Sequence, residues 1–518
     1  MRKFQKSVGF ALLTTAAMVV TGCFGQKESG ADPNGPVDFW SSFGAAYTNE
    51  LNAIVDEVAA KTGIEINHTS KGSYPEIRRA MISATAVGDY PNIATGYPDH
   101  FVSYLAADIL TPLDDLLTQE EISDYYPDYL TENKFYDNTG TGTQKLYGVP
   151  FNKSTELLGY NGVFVDYCAT IDPSLATIPV TWDEWKTKGP DYQEILADLA
   201  THQNVVVGVQ SDEGTASEFE VLPKNSKAPT GKKVLLDFSN ADVNQTYLMS
   251  WDSTDNAFIT LTRQWGAEYT KLPEDQAQKP ANRRKGSVMF TSSENKPKVV
   301  EFLKFFHDLH KAKIFATPGH LGGSYASTAF ENCRVMFMVC SSGGLSYNTT
   351  NWAHRFRVAP IPYKDAEHKY VISQGANLCL TNKEGGSNNA VQVLKKLSSS
   401  EFQTKWCLQT GYFPSSQSVA NSAEYKNFLA DTSYANATTV AFREGAGINS
   451  NVYLAQGQGW NKFVDPAFEG SAILREALAE YIKKACDLAA DAPDAKYGDI
   501  VDLIKSNQQL KLNTIEFK

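Results

Sequence analysis

No two of the seven cysteines are spaced as CxxC, so the chain signals neither a zinc site nor a redox motif. It also lacks the GxSxG elbow, the HExxH helix, the GxxxxGKS or GxxxxGKT phosphate loop and the EF-hand loop. Gly457-Gln458-Gly459 is a fragment of a glycine loop with no phosphate fingerprint behind it. Asp183 and Glu184 are adjacent, and adjacent residues of a helix do not face each other, so they are no pair for glycoside cleavage. The eight histidines are scattered. Positive charge is scarce: 47 Lys and Arg stand against 59 Asp and Glu, a net charge of −12. That excludes the basic face nucleic acid needs, and broad contact with anionic lipid. These absences point away from an enzyme and from any cofactor or metal.

One long apolar run is present, Val8 to Val20, preceded by Arg2, Lys3 and Lys6 and followed by Thr21-Gly22-Cys23. A basic start, a short apolar stretch and small residues before a cysteine describe a secretory signal. The run is shorter than the ~20 residues of a membrane-spanning helix. Residues 1–22 are therefore expected to be removed, with Cys23 lipidated and 23–35 a linker. The folded part then sits outside the cytoplasmic membrane. The six remaining cysteines stand in apolar settings such as Val335-Met336-Phe337-Met338-Val339-Cys340, as buried thiols do.

The 518 residues exceed one ordinary core, so two or more lobes are expected. Val37-Asp38-Phe39-Trp40 reads as a strand. Leu51, Ile54, Val55, Val58 and Ala59 repeat at helical spacing, with Gly63 as the left-handed stop. Ile64 to Asn67 alternates as a strand, Pro75 opens a helix, Asn92 to Thr95 is a strand and Phe101 to Ala107 a helix. This rhythm predicts an α/β lobe with a largely parallel sheet. Leu146–Phe151 and Glu156–Asn161 read as two strands, the second crossing into another lobe. Thr181 and Glu184 form a capping box. Residues 203–245 are polar and read as an insertion on the second lobe. Helices are expected at Lys298–Lys311, Ser387–Ser398 and a closing one at Ala472–Ala489.

In order, several segments resemble one family: the extracellular solute-binding proteins of bacterial ABC importers, family 1, the maltose-binding and glycerol-phosphate-binding branch. Phe39-Trp40-Ser41-Ser42 resembles its first strand and ligand loop. Lys71-Gly72-Ser73-Tyr74-Pro75-Glu76 resembles the glycerol-phosphate type, whose tyrosine there touches ligand. Tyr97-Pro98-Asp99-His100-Phe101 resembles a loop with a sugar-binding aspartate, which Asp99 matches. Tyr147 to Thr155 is the most specific match, and Ser154 falls on a ligand-holding serine. Ser341-Ser342-Gly343 resembles a cleft loop, Ser373-Gln374-Gly375-Ala376 a return crossing whose glycine lets backbone approach ligand, and Gly411-Tyr412-Phe413-Pro414 the last crossing. Trp251 matches a tryptophan-bearing loop, and Trp460 lies in a glycine-rich setting.

The resemblance implies a two-lobed periplasmic-binding-protein fold of type II, with sheets flanked by helices and a hinge between the lobes. It implies lobe 1 from 36–155 plus about 370–415, and lobe 2 from 156–369 plus about 416–518. It implies a small-molecule solute held between the lobes, without a cofactor, and an ABC permease as partner at the membrane. The ligand set would be Ser42, Tyr74, Tyr97, Asp99, Ser154, Trp251, Ser341, Ser342, Gly343, Gly375, Tyr412 and Trp460. The arginine that grips phosphate in the glycerol-phosphate type has no counterpart in Ala467-Phe468-Glu469-Gly470, which favours a neutral sugar. A glycerol-phosphate or glycerophosphodiester binder is the alternative, for which Arg78, Arg79 or His100 would have to supply the cation. A secreted glycan-acting enzyme and a surface adhesin are the readings from other classes.

Overall fold

The computed structural model describes residues 31–43, 45–137, 142–211, 214–349, 356–433 and 437–518. Cys23 and the segment before it lie outside the described residues.

The first sheet takes its order from strand–helix–strand units. Val37–Ser41 lies parallel to Ile66–Ser70 on one side and Ile93–Gly96 on the other. The helix Ala45–Thr62 that connects the first two strands buries Leu51, Ile54, Val55 and Val58. Gly63 stops it at φ +71°, and its N–H bonds the Ala59 carbonyl. Asn377–Leu380 and Val149–Pro150 complete this five-stranded sheet, both through antiparallel pairings. The helices Ser387–Leu397 and Ser400–Thr410 return to cover it, adding Val393, Leu394 and Trp406 to the same core as Phe39, Leu51 and Phe151.

The second sheet has seven strands, in the order Phe315–Ala316, Met249–Trp251, Phe337–Ser341, Ser154–Asn161, Tyr370–Gln374 and Asn461–Phe463, with Phe356–Ala359 also on Ser154–Asn161. Its core is aromatic: Trp182, Trp185, Trp251, Phe306 and Phe337 are fully buried. The fold is thus α/β and two-lobed, with one principal sheet per lobe and three smaller ones beside them among the described residues. The strand pairings place the return to the first sheet between Gln374 and Asn377, a few residues beyond 370, because Ser373 and Gln374 still pair with Thr155 and Ser154.

The capping box at Thr181 and Glu184 is present and opens the helix Trp182–Thr201. Most of 203–245 is itself folded, as a three-stranded antiparallel sheet of Val205–Gln210, Ala216–Leu222 and Lys233–Asp237. The closing helix expected at Ala472–Ala489 is instead two, Ser471–Leu478 and Tyr481–Cys486. The break falls where the Thr254 hydroxyl takes the Ala479 carbonyl as its acceptor, at 2.6 Å. A further helix, Asp494–Ser506, buries Tyr497, Ile500, Val501 and Ile504, an i, i+3, i+4, i+7 stripe missed in the sequence reading. The six cysteines beyond Cys23 are all free and buried.

Candidate functional site

Three segments pass between the sheets, and Lys153 ties them together. Its carbonyl accepts the Phe413 N–H at 2.7 Å, and its ammonium donates to the Gly375 carbonyl at 3.1 Å. The same ammonium pairs with Glu132 at 2.6 Å, both side chains being nearly inaccessible at 1% and 3%. Asn377 donates to the other side of that carboxylate's Oε1 at 3.0 Å. A second lysine, Lys462, is buried beside them and donates to Asn449 and Tyr129. Burial, with Lys153 nearby, pushes the Lys462 ammonium down to about 7.

In front of this hinge lies a cavity of about 230 Å³, walled by both lobes. Helix starts build the first wall. Ser73 and Glu76 form a capping box, which fixes Tyr74 as the first helical residue. Tyr97 caps the helix Pro98–Ala106, so Asp99 and His100 sit in its first turn, where the helix N-terminus favours a carboxylate. Tyr74 and Tyr97 meet ring to ring at 4.4 Å. The second wall comes from Asp255 and Asn256, Tyr269 and Thr270, Ser373 to Gly375, and the stretch from Asp465 to Glu476.

Arg475 organises the charges. It bonds Asp465 at 2.8 Å and Asn256 directly, and lies 3.9 Å from Asp255 and 3.8 Å from Asp99 of the opposite wall. Next to it Glu476 reaches across to Arg78 at 2.9 Å. With Arg79, 3.7 Å from the same glutamate, three ion pairs link the lobes at the cleft. Burial pushes the His100 imidazole down to about 4, so it is neutral at physiological pH. Four polar atoms around the cavity have no protein partner: Asp99 Oδ1, His100 Nδ1, Thr270 Oγ1 and Ser373 Oγ. A buried polar atom without a partner carries a free-energy cost, and a ligand hydroxyl relieves it.

Of the residues singled out in the sequence, Tyr74, Tyr97, Asp99 and Gly375 line this cavity. Ser42 stands behind Tyr74, bonded to Thr95 at 3.1 Å. Tyr412 stacks on Trp406 and closes on Gly343, whose missing side chain makes room for the ring: a Cβ there would lie 2.5 Å from Tyr412. The structure places the others outside the cavity lining. Ser154 is a buried strand residue opposite Gln374. Ser341 bonds the Gly343 N–H and Ser342 the Thr155 N–H, fixing their loop. Trp251 is a core ring stacked on Trp182, since its strand runs between two others. Trp460 packs edge-on against Tyr453 and Tyr363. Trp40 is covered by the Lys71 ammonium, 3.7 Å from its ring.

No arginine stands at 467–470, but the cavity does hold one. Arg475 enters the cavity one turn further along, after the helix start at Gly470. Thr270, Asp255 and Asp465 were missed, and of the crossing Ser373–Ala376 only Gly375 was placed in the ligand set. The missed residues come from distant segments, and no local spacing marks them.

Trp251 donates to Glu156 at 2.8 Å, and burial pushes that carboxyl up to about 8. The folded state therefore holds a proton there that the unfolded chain, at an ordinary glutamate value, has released. Between the two values stability falls as pH rises, by about 1.4 kcal/mol per unit at most. Glu156→Gln is expected to remove this slope, leaving stability near pH 5 unchanged and raising it at pH 8. Urea unfolding across pH 5–9 measures it, and equal slopes in both proteins would contradict the assignment.

A family model described as bacterial extracellular solute-binding protein matches residues 53–432. No curated protein sequence matches the chain. Solved structures do. The GacH receptor of Streptomyces glaucescens, described unliganded and in complex with acarbose, is 16% identical over 92% of this chain and 99% of its own, with a TM-score of 0.61. UgpB from Mycobacterium tuberculosis, in complex with glycerophosphocholine, is 16% identical over 91% and 98%, with a TM-score of 0.63. An ABC transporter solute-binding protein from Thermotoga lettingae, bound with α-D-tagatose, is 15% identical over 91% and 99%, with a TM-score of 0.62.

Proposed function

The chain belongs to the family of bacterial extracellular solute-binding proteins, and on that premise we propose that it captures a neutral carbohydrate between its lobes and delivers it to an ABC permease. Cys23 anchors it to the outer face of the membrane, and it makes no covalent change in its ligand. The observation that carries the substrate reading is the set of unpartnered polar atoms beside the Tyr74–Tyr97 pair. A sugar offers hydroxyls at its edge and C–H faces to aromatic rings, which such walls complement.

Arg475 gives the glycerophosphodiester reading its one specific support. Its guanidinium, however, is already shared among Asp465, Asp255, Asp99 and Asn256. A phosphate would meet those carboxylates at close range, and like charges in a poorly solvated cleft repel. The neutral reading is favoured for that reason. Each cavity carboxylate is paired with a cation: Asp99, Asp255 and Asp465 with Arg475, Glu132 with Lys153 and Glu476 with Arg78, an arrangement that gives the glycan-enzyme reading no specific support.

A thermal-shift screen of sugars and glycerol phosphates tests this reading. A ligand at 100 times its Kd adds about 2.7 kcal/mol of stability. A response to glycerol phosphates alone would move the assignment to the phosphodiester class. Closure on the ligand, the motion hinged two-lobed proteins use, should lower the radius of gyration in small-angle scattering. An identical profile at saturation would count against closure. For the anchor, Cys23→Ser is expected to release the protein to the soluble fraction or leave an uncleaved precursor. Membrane retention of a normally cleaved Cys23→Ser protein would overturn lipidation at Cys23.

A further inference from the structure

We propose that the cleft is a one-ring site, in which Thr270 and Ser373 of the second lobe determine specificity by bonding hydroxyls of a monosaccharide whose other edge is held by Asp99 and His100. This deepens the carbohydrate reading and rests on it. The size argument comes first. The cavity is about 230 Å³, below the ~300–1,000 Å³ of sites for drug-sized ligands. A single sugar ring fills it. Two linked rings need about twice that space.

The chemical argument is the arrangement of free polar atoms. Thr270 is 3% exposed and its hydroxyl has no partner. Its strand, Thr270–Lys271, pairs with Gly286–Val288, which holds the residue against the cavity. Ser373 pairs with Thr155 through the backbone, leaving its buried hydroxyl unused. Opposite them stand Asp99 Oδ1, an acceptor only, and the neutral His100 ring, also unpartnered at Nδ1. Each hydroxyl donates once and accepts, the carboxylate accepts, and the imidazole does one or the other by tautomer. Such a set matches a ring with hydroxyls on opposite edges. A site built to bond a hydroxyl discriminates strongly against the analogue that lacks it.

The test is calorimetry on the full mature chain with a panel of neutral monosaccharides and their monodeoxy analogues, maltose, maltotriose and glycerophosphocholine. A monosaccharide is expected to bind at least tenfold more tightly than either oligosaccharide. Thr270→Val and Ser373→Ala should each weaken it between about fivefold and a hundredfold. Each should also bind one deoxy analogue as well as the parent sugar, a loss of discrimination that a folding defect does not produce. Thr270→Ser, which keeps the hydroxyl, should restore it. Tightest binding of maltotriose would overturn the one-ring inference while leaving the carbohydrate reading intact. Binding of glycerophosphocholine with no response to any sugar would overturn both. Monosaccharide binding with unchanged deoxy discrimination in both variants would remove Thr270 and Ser373 from the site.

Discussion

Gly375→Ala is expected to leave little folded protein. The residue has φ +103°, a backbone conformation open to glycine and costly for alanine. It lies where the chain leaves the second sheet at Gln374 and joins the first at Asn377. A Cβ there would lie 1.7 Å from the Asn152 carbonyl oxygen and 2.8 Å from the Lys153 Cα. These are backbone atoms of another crossing, and the Asn152 N–H is bonded to the Ala376 carbonyl, so neither strand can move alone. Steric strain of this kind belongs to the exceptional class of substitutions, with a cost of about 4–5 kcal/mol or more. Urea unfolding and soluble yield measure it. An alanine variant with the parent's unfolding midpoint would show that the two crossings are not so closely apposed.

The second large effect is expected at Lys153. Lys153→Met keeps the length of the side chain but leaves Glu132 as a buried carboxylate without its cation, and removes the bond to the Gly375 carbonyl. Breaking a buried ion pair from one side costs roughly 3–5 kcal/mol, because the remaining charge is uncompensated. Adding Glu132→Gln should recover much of that loss, since an amide tolerates burial better than an unpaired charge. In Lys153→Met alone, Lys462 loses a neighbouring cation that lowers its pKa and keeps Glu132, which raises it, so its ammonium should hold its proton to higher pH than in the parent. The four unfolding free energies of the double-mutant cycle, for the parent, each single variant and the double, decide the matter. A double variant less stable than Lys153→Met alone would contradict the pairing as the dominant interaction at the hinge.

The elements legible in the sequence were those whose cause is local. The helix Ala45–Thr62, its stop at Gly63, the capping box at Thr181 and the first strand–helix rhythm each follow from a few neighbouring residues. That Tyr74, Tyr97 and Asp99 line the cavity has a related reason: helix starts place them, and the segments that carry them resemble a known family. The misreadings have a common physical origin. Trp251 and Trp460 are rings whose burial depends on partners, Trp182 and Tyr453, far away in the chain. Ser154 is buried on a central strand, and Ser342 spends its hydroxyl on the Thr155 N–H, both settings that only the folded sheet supplies. Arg475 was overlooked because alignment to a family position looked at 467–470. The side chain reaches the cleft from one helical turn later. The break after Leu478 depends on a hydroxyl from Thr254, 225 residues away by the same contact, and no helical periodicity carries that information.

Calorimetry of the parent protein beside Asp99→Ala, titrated with neutral sugars and with glycerol 3-phosphate, bears most directly on the claim that the interlobe cleft takes a neutral carbohydrate. Asp99 lines the cavity from the first lobe, and its Oδ1 has no hydrogen-bond partner. A carboxylate accepts from sugar hydroxyls strongly, and its charge repels a phosphate. The account predicts measurable binding of at least one neutral sugar, weakened by roughly 1–3 kcal/mol in Asp99→Ala, with no binding of glycerol 3-phosphate. Tight binding of glycerol 3-phosphate, undiminished or improved by Asp99→Ala, with no response to any sugar, would contradict it.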